Sequence, residues 1–304
     1  MASPLDAFTA AGRWFRGNLH LHTTVSDGRL TPPEAVAFYR QNGYDFLAIT
    51  DHWKRVDPAG LGADPDFLLI PGEELNMYDQ AADMLWHAVA LFLPREIARP
   101  ENQRPAQWGI DLICEAGADA VLAHPYWSGN RVEELAALTG LTAIEVFNTT
   151  CERAHGRGHS LVHLDGLWHL KKRLWGVAVD DCHHGAFDGL QGWIMLKAPE
   201  LTLEAVRAAF RAGHFYASTG PEIEHLEIKD GNLTVRCSPC AAVHVQSNRW
   251  IGLSAYADAD FGGPGRPLTE VTIPLSTEPD ASYVRVTLTD YLGHSAWSNP
   301  IALK

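Results

Sequence analysis

Residues 17 to 28, GNLHLHTTVSDG, set His20 and His22 two apart at the end of an apolar run, with Asp27 five residues further on. Side chains two apart on a strand point the same way, so both imidazoles can meet one point. Two readings follow: an ordinary half-buried strand, or a strand end that holds a metal. The same residue types recur along the chain. Asp51 and His52 close LAITDH, Glu73 and Glu74 follow LLIPG, and His87 lies within MLWHAVALFL. His124 ends AVLAHP, Glu145 sits in AIEVFN, and Asp181 and His183 close GVAVDDCH. Singly, each has a bland explanation as a rim residue, a cap or a solvated charge. Gathered at one rim, so many ionisable groups would cost several kcal/mol each without a cation. A multinuclear metal site removes that penalty.

The elements that would carry these residues alternate. Strand-like runs from residue 17 to about 219 are separated by amphipathic stretches such as PPEAVAFYRQNG, PAQWGIDLICEAG and LTLEAVRAAFRAG. Thr31-Pro32-Pro33 is a helix-start signal, and two of the stretches end in Gly where a helix terminates. Such alternation predicts βα units and a mainly parallel sheet or barrel, whose C-terminal strand ends share one face. After Thr219-Gly220-Pro221 the period becomes two, in HLEIKD, NLTVRC, AVHVQS, EVTIPL and YVRVTLTD. Turns are expected at Asp230-Gly231-Asn232, Gly262 to Gly265 and Glu278-Pro279-Asp280. This predicts an antiparallel, immunoglobulin-like sandwich over 221–304, after a first domain over 1–220.

The 304 residues carry a formal net charge of −13, which argues against a nucleic-acid polymer as partner. No apolar run reaches the roughly 18 residues that span a bilayer. The N-terminal stretch lacks the basic start and apolar block of a secretory leader, and the five cysteines are scattered. Together these predict a cytoplasmic protein with reduced thiols and no membrane partner. Cys237 and Cys240 form a lone CxxC with no second pair, read as thiols beside a turn. Neither GxSxG nor a P-loop signature occurs.

Candidate substrate contacts are cationic. Arg153, His155, Arg157, His159 and His163 crowd 11 residues after a strand end. If helical, the three histidines share one face and form a wall for a phosphate or another anion. Lys54 and Arg55, next to His52, are a second candidate. Glu145 and His184 could orient ligands, and Trp53 or Trp127 could stack on a substrate ring.

The motifs LHLHTTVSDG, ITDH, PGEE, WHAVAL, AHP and DDCH, in this order over about 200 residues, resemble the PHP (polymerase and histidinol phosphatase) superfamily of metal-dependent hydrolases. The stretch GHFYASTGP followed by a β domain is similar to its CehA/McbA-like branch. The resemblance implies a distorted (β/α)7 barrel holding two or three divalent ions, zinc, manganese or iron. It implies one metal on His20, His22, Glu73 and Asp181, a second sharing Glu73 with His87 and His124, and a third on Asp27, His52 and His183. Asp27 stands where some members carry His. The catalytic set would be His20, His22, Glu73, Asp181 and His183, with a metal-bridged hydroxide as nucleophile. The expected activity is a phosphoesterase acting on a small phosphorylated metabolite or nucleotide. Hydrolysis of a carboxylic ester, carbamate or amide is the alternative, and a non-catalytic metal-containing binding module is a third reading. The β domain could cover the site, pair subunits or bind carbohydrate.

Overall fold

Helix starts form where side chains can satisfy free backbone N–H groups. Thr31 gives both its N–H and its hydroxyl to Glu34 Oε2, at 2.8 and 2.7 Å, and two prolines follow it. Thr202 accepts from the Ala205 N–H, and Gly213 closes the same helix at a positive φ of 73°. The computed structural model describes residues 3–61, 64–257, 265–275 and 280–303. The first part has strands β1 (Arg13–Asn18), β2 (Phe46–Ile49), β3 (Leu68–Asp79), β4 (Met84–Leu91), β5 (Asp119–Leu122), β6 (Leu141–Asn148), β7 (Trp175–Val179), β8 (Trp193–Ala198) and β9 (Phe215–Ser218). Its helices are α1 (Asp6–Thr9), α2 (Pro32–Gln41), α3 (Ala106–Glu115), α4 (Pro125–Ser128), α5 (Val132–Ala137), α6 (Thr149–His155), α7 (Leu161–His169) and α8 (Leu203–Ala212).

The strand order is β9-β8-β1-β2-β3-β4-β5-β6-β7. Phe15, Phe46, Ile70, Leu91, Leu122, Ile144 and Val177 belong to the core packed against this sheet. Burying each such side chain contributes about 1.5–3 kcal/mol. The sheet is mixed, which corrects the expectation of a mainly parallel one. β1, β2 and β3 run parallel, as do β5, β6 and β7, but β4 is antiparallel to both its neighbours and β8 to β1. Only residues 80–83 join β3 to β4, too few for a parallel crossover, so the two form a hairpin. β3 continues beyond the end of β2, through a bridge between His52 and Glu74, and carries the hairpin over the rim.

The second part has β10 (Ile223–Lys229), β11 (Asn232–Cys240), β12 (Ala242–Gln246), β13 (Gly252–Tyr256), β14 (Leu268–Pro274), β15 (Tyr283–Thr289), β16 (Ser295–Ser298) and β17 (Ile301–Ala302). β10, β11 and β14 form one sheet. β13-β12-β15-β16 is joined to the first part, because β16 pairs with β9. Leu226, Val235 and Ile273 face Val243, Val286 and Leu288 in a common core. Asp230 and Gly231 turn β10 into β11 with φ of 50° and 75°. Of the expected turns, Gly262 to Pro264 and Glu278-Pro279 lie outside the described residues. All five cysteines are free, and among the described residues no helix is long and apolar enough to cross a membrane.

Candidate metal centre

The loops after β1, β2, β5 and β7 and the β3–β4 hairpin bring six imidazoles and three carboxylates together. They fall into three groups: His20, His22 and Asp181; Glu74, His87 and His124; and His22, Asp27, His52 and His183. Most of these line a cavity of about 310 Å³ together with Trp127, Thr150, Cys151, His155 and His184.

The local backbone is held in place by side chains that the cluster itself does not use. Asp51 accepts from the N–H and hydroxyl of both Thr23 and Ser26, which folds the loop bearing Asp27. A Cβ at Gly28 would lie 2.1 Å from the His22 carbonyl oxygen, so only glycine lets that loop turn back. Trp53, His124 and Asp181 adopt positive φ of 53°, 25° and 53°. Such conformations cost on the order of 1–3 kcal/mol each and persist where surrounding bonds fix them. Here Asp181 N–H donates to His20 O at 2.9 Å and Trp53 N–H to Glu74 O at 3.0 Å.

Four of the imidazoles have one nitrogen engaged away from the point where the ligand atoms meet. His20 Nδ1 meets Glu145 Oε1 at 2.6 Å, His22 Nδ1 meets Ser26 Oγ at 3.3 Å, and His124 Nδ1 meets Ser128 Oγ at 3.3 Å. His183 Nδ1 donates to the Asp181 carbonyl at 2.7 Å. Their Nε2 atoms are thereby left to the cluster. Glu145, fully buried, also accepts from His124 N–H and from Asn148, which in turn reaches Asp181 Oδ2. Glu145 therefore has the orienting position foreseen for it. Asn148 was missed, although FN at the end of β6 is one more strand end.

The donor atoms of His20, His22 and Asp181 are as close together as the ligands of one small cation. Atoms at about 2.0–2.1 Å from a central cation lie about 3.3 Å apart. His20 Nε2 and His22 Nε2 are 3.2 Å apart. They lie 3.3 and 3.2 Å from Asp181 Oδ1, and 3.5 and 3.2 Å from Glu74 Oε2. Asp181 Oδ1 is buried and makes no hydrogen bond. His52 Nδ1, 3.1 Å from Glu74 Oε2, makes none either. Two ring nitrogens aimed at each other and an orphaned carboxylate oxygen fit a cation among them better than a hydrogen-bond network. Glu74 joins the groups: Oε2 faces His20, His22 and His52, while Oε1 lies 2.8 Å from His87 Nδ1 and 3.3 Å from His124 Nε2.

Glu73, expected as the shared carboxylate, is not in the cluster. Successive strand residues face opposite sides, and β3 in its register with β4 turns Glu74 towards His87. Glu73 accepts from Ile97 N–H at 2.9 Å, and burial raises its pKa to about 7. The cluster's charges interact strongly. Burial opposes protonation of His20 and His22, yet Asp181 and Glu74 outweigh it; His20 rises well above its ordinary value and His22 to about 9. Burial would raise Glu74, but His87 and His20 hold it well below the carboxylate range.

The expected cationic wall does not form. Gly156, at φ 64°, ends α6, and a Cβ at Gly158 would lie 2.4 Å from the Asn148 carbonyl. His155, His159 and His163 therefore share no helical face. His155 lines the metal cavity and accepts from Trp127 Nε1 at 3.3 Å. Arg153 bonds Gln191 and covers the Phe187 ring, Arg157 lies over Tyr126, and buried His163 meets the Asn130 carbonyl. His159 packs on Phe147. Lys54 pairs with Glu96, and Arg55 donates to the Leu93 carbonyl. Of the two tryptophans, Trp127 reaches the cavity; Trp53 is buried and donates to Asn76. His184 is on the cavity wall beside Phe187.

No family model and no curated protein matches the chain. Among solved structures, it is similar to a two-domain protein from Bacteroides vulgatus that contains a predicted PHP-like metal-dependent phosphoesterase. Identity is 16%, with 97% of this chain and 96% of that one covered at a TM-score of 0.53. The fold is PHP-like. A protein from Bifidobacterium adolescentis, provisionally described as a metal-dependent phosphoesterase, gives 17% identity over 65% of this chain and 96% of that one, with a TM-score of 0.47. An amidohydrolase from Chromobacterium violaceum gives 18% over 57% and 89%, with a TM-score of 0.44. The likeness to that two-domain protein extends across nearly the whole chain, so both parts of the molecule share in it.

Proposed function

We propose that the chain is a metal-dependent hydrolase of the PHP superfamily, with the distorted barrel of that family, cleaving the phosphate ester of a small molecule. The carrying observation is that His20 Nε2 and His22 Nε2 lie 3.2 Å apart and each lies 3.2–3.5 Å from Glu74 Oε2 and from the hydrogen-bond-free Asp181 Oδ1. His20, His22, Glu74 and Asp181 would hold one cation, Glu74 with His87 and His124 a second, and Asp27, His52 and His183 a third. When bound, divalent cations lower the pKa of an attacking water and offset charge that gathers on the substrate. Three groups of donors around one cavity suit a phosphoryl group, which has three non-bridging oxygens to hold.

The chain's own residues supply orientation. Glu145 keeps the His20 proton on Nδ1 and its Nε2 turned inward. Trp127 donates its indole N–H to His155 Nδ1, which orients that ring on the cavity wall and leaves Nε2 to face a substrate oxygen. The cavity of about 310 Å³ has room for a small molecule. The CehA/McbA-like stretch 213–221 supports a second reading, in which an ester, carbamate or amide is cleaved at the same centre.

The test is a steady-state comparison of manganese-loaded protein on aryl phosphates and aryl esters. Phosphate cleavage that disappears with chelator and in Glu74→Gln is expected. Turnover of esters alone would overturn the phosphoesterase reading.

A further inference from the structure

A second cavity, of about 400 Å³, opens on the seam between the two parts of the molecule and shares no lining residue with the metal cavity. Arg16 of β1 projects into it. Its guanidinium lies 3.7 Å over the Trp193 ring and 4.3 Å over Tyr44. Its side chain donates to Tyr44 Oη at 3.3 Å, while Nε is buried and has no partner. Asp45 binds the Arg16 backbone N–H, and among the described residues no carboxylate pairs with the guanidinium. In a chain of net charge −13, a half-buried arginine without an acid partner is an unbalanced charge.

The groups around Arg16 are also donors. His159 and His294 line the cavity, and so does Ser295. His294 Nδ1 faces Asp290 at 3.1 Å, which leaves Nε2 free. A Cβ at Gly220 would lie 2.7 Å from the His294 Cβ, so the Thr219-Gly220 turn is shaped to admit that ring. Among the described residues, no carboxylate lines this cavity. His159 and Thr219 come from the two stretches, 148–163 and 213–221, that the metal centre leaves largely unused.

We propose that this seam cavity is an oxyanion site, with Arg16 as its fixed charge and His159, His294 and Ser295 closing around the phosphate group of a small ligand. A guanidinium fork with donors from two other segments suits a phosphate, which accepts from several directions. The proposal does not depend on the metal centre being catalytic.

Calorimetric titration of metal-loaded protein with inorganic phosphate, and separately with phenylphosphonate, tests it. In Glu74→Gln stripped of metal with chelator, where no cation remains at the metal centre to hold phosphate, one site should persist. Arg16→Met should weaken that site at least tenfold, and His294→Ala, an exposed change that leaves the packing of Arg16 intact, threefold or more. Equal affinity for both probes would mark a free-ion site. Tenfold preference for phenylphosphonate would mark an organic phosphate, its ring using the rest of the cavity. Loss of all binding in Glu74→Gln, or unchanged binding in both Arg16→Met and His294→Ala, overturns the proposal.

Discussion

Two sets of histidines stand out in this chain, one scattered over strand ends and one crowded into a single connection, and the fold puts them to opposite uses. At the strand ends, His20, His22, His124 and His183 arrive with one ring nitrogen already occupied, and their free nitrogens converge. Between residues 153 and 163, similar residue types disperse: one lines the metal cavity, one packs on Phe147 and one is buried against a carbonyl. The difference lies in the backbone beneath. Strands fix Cβ directions over several residues, and neighbouring strands bring distant residues to one rim. The 153–163 connection is broken by Gly156 and Gly158, so spacing in sequence loses its meaning in space.

The largest effect expected from this contrast is at Glu74. Glu74→Gln removes the carboxylate facing five imidazoles and should lower bound metal by at least one equivalent, with kcat/KM falling on the order of 10³-fold. Elemental analysis and kinetics check it. Glu73→Gln, one residue away, should leave metal content unchanged. Equal losses in the two variants would show that the strand faces have been assigned wrongly.

A smaller loss is expected one layer out. Glu145→Gln keeps the shape but weakens the bond to His20 Nδ1 and the hold on the His124 backbone. Such orienting partners are worth roughly 10- to 100-fold in metal affinity or activity. A competition titration with a chelator reads it directly; unchanged affinity would mean that His20 is oriented by packing alone.

The rim was legible because its signal is repeated: several strand ends each deliver an ionisable residue, and Asp27, His52 and His183 lie in one group with His22. Two features were not legible. The choice between Glu73 and Glu74 depends on which face of β3 looks into the cluster, and residues 70–75 are buried on both faces, which erases the period-two pattern that would decide it. The antiparallel course of β4 depends on the shortness of the 80–83 turn, which a run of apolar residues on both sides does not announce. The second part shows the same limit. Its alternation revealed the strands, but not the ladder from β16 to β9 that fuses its sheet to the first.

Glu73 offers a pH test of the same assignment. Burial lifts its folded-state pKa to about 7, above the usual carboxylate value that it regains on unfolding. The folded protein therefore holds the extra proton between these values. The stability tied to that proton is present below about pH 4.5 and lost as pH rises through 7. Glu73→Gln has nothing to lose over this range. Relative to wild type, the variant should gain on the order of 1–3 kcal/mol between about pH 4.5 and about pH 8. Denaturant unfolding at both pH values checks it. A difference that stays constant with pH would place Glu73 in water rather than beneath the Ile97 amide.

The smallest effects belong to the dispersed cations. Arg153 is engaged by Gln191 and Phe187, Arg157 lies over Tyr126, and Lys54 pairs with Glu96 at 3.2 Å on exposed surface. None lines the metal cavity. An exposed ion pair or ring contact of this kind contributes at most about 1 kcal/mol, and nothing to a substrate it does not touch. Arg153→Ala, Arg157→Ala and Lys54→Ala should each change kcat/KM by less than about threefold, whereas His155→Ala, on the cavity wall, should change it more. If instead an arginine variant raised KM tenfold with kcat intact, the 153–163 connection would have to close over the bound substrate. The contrast between the two sets of histidines would then hold only for the free protein.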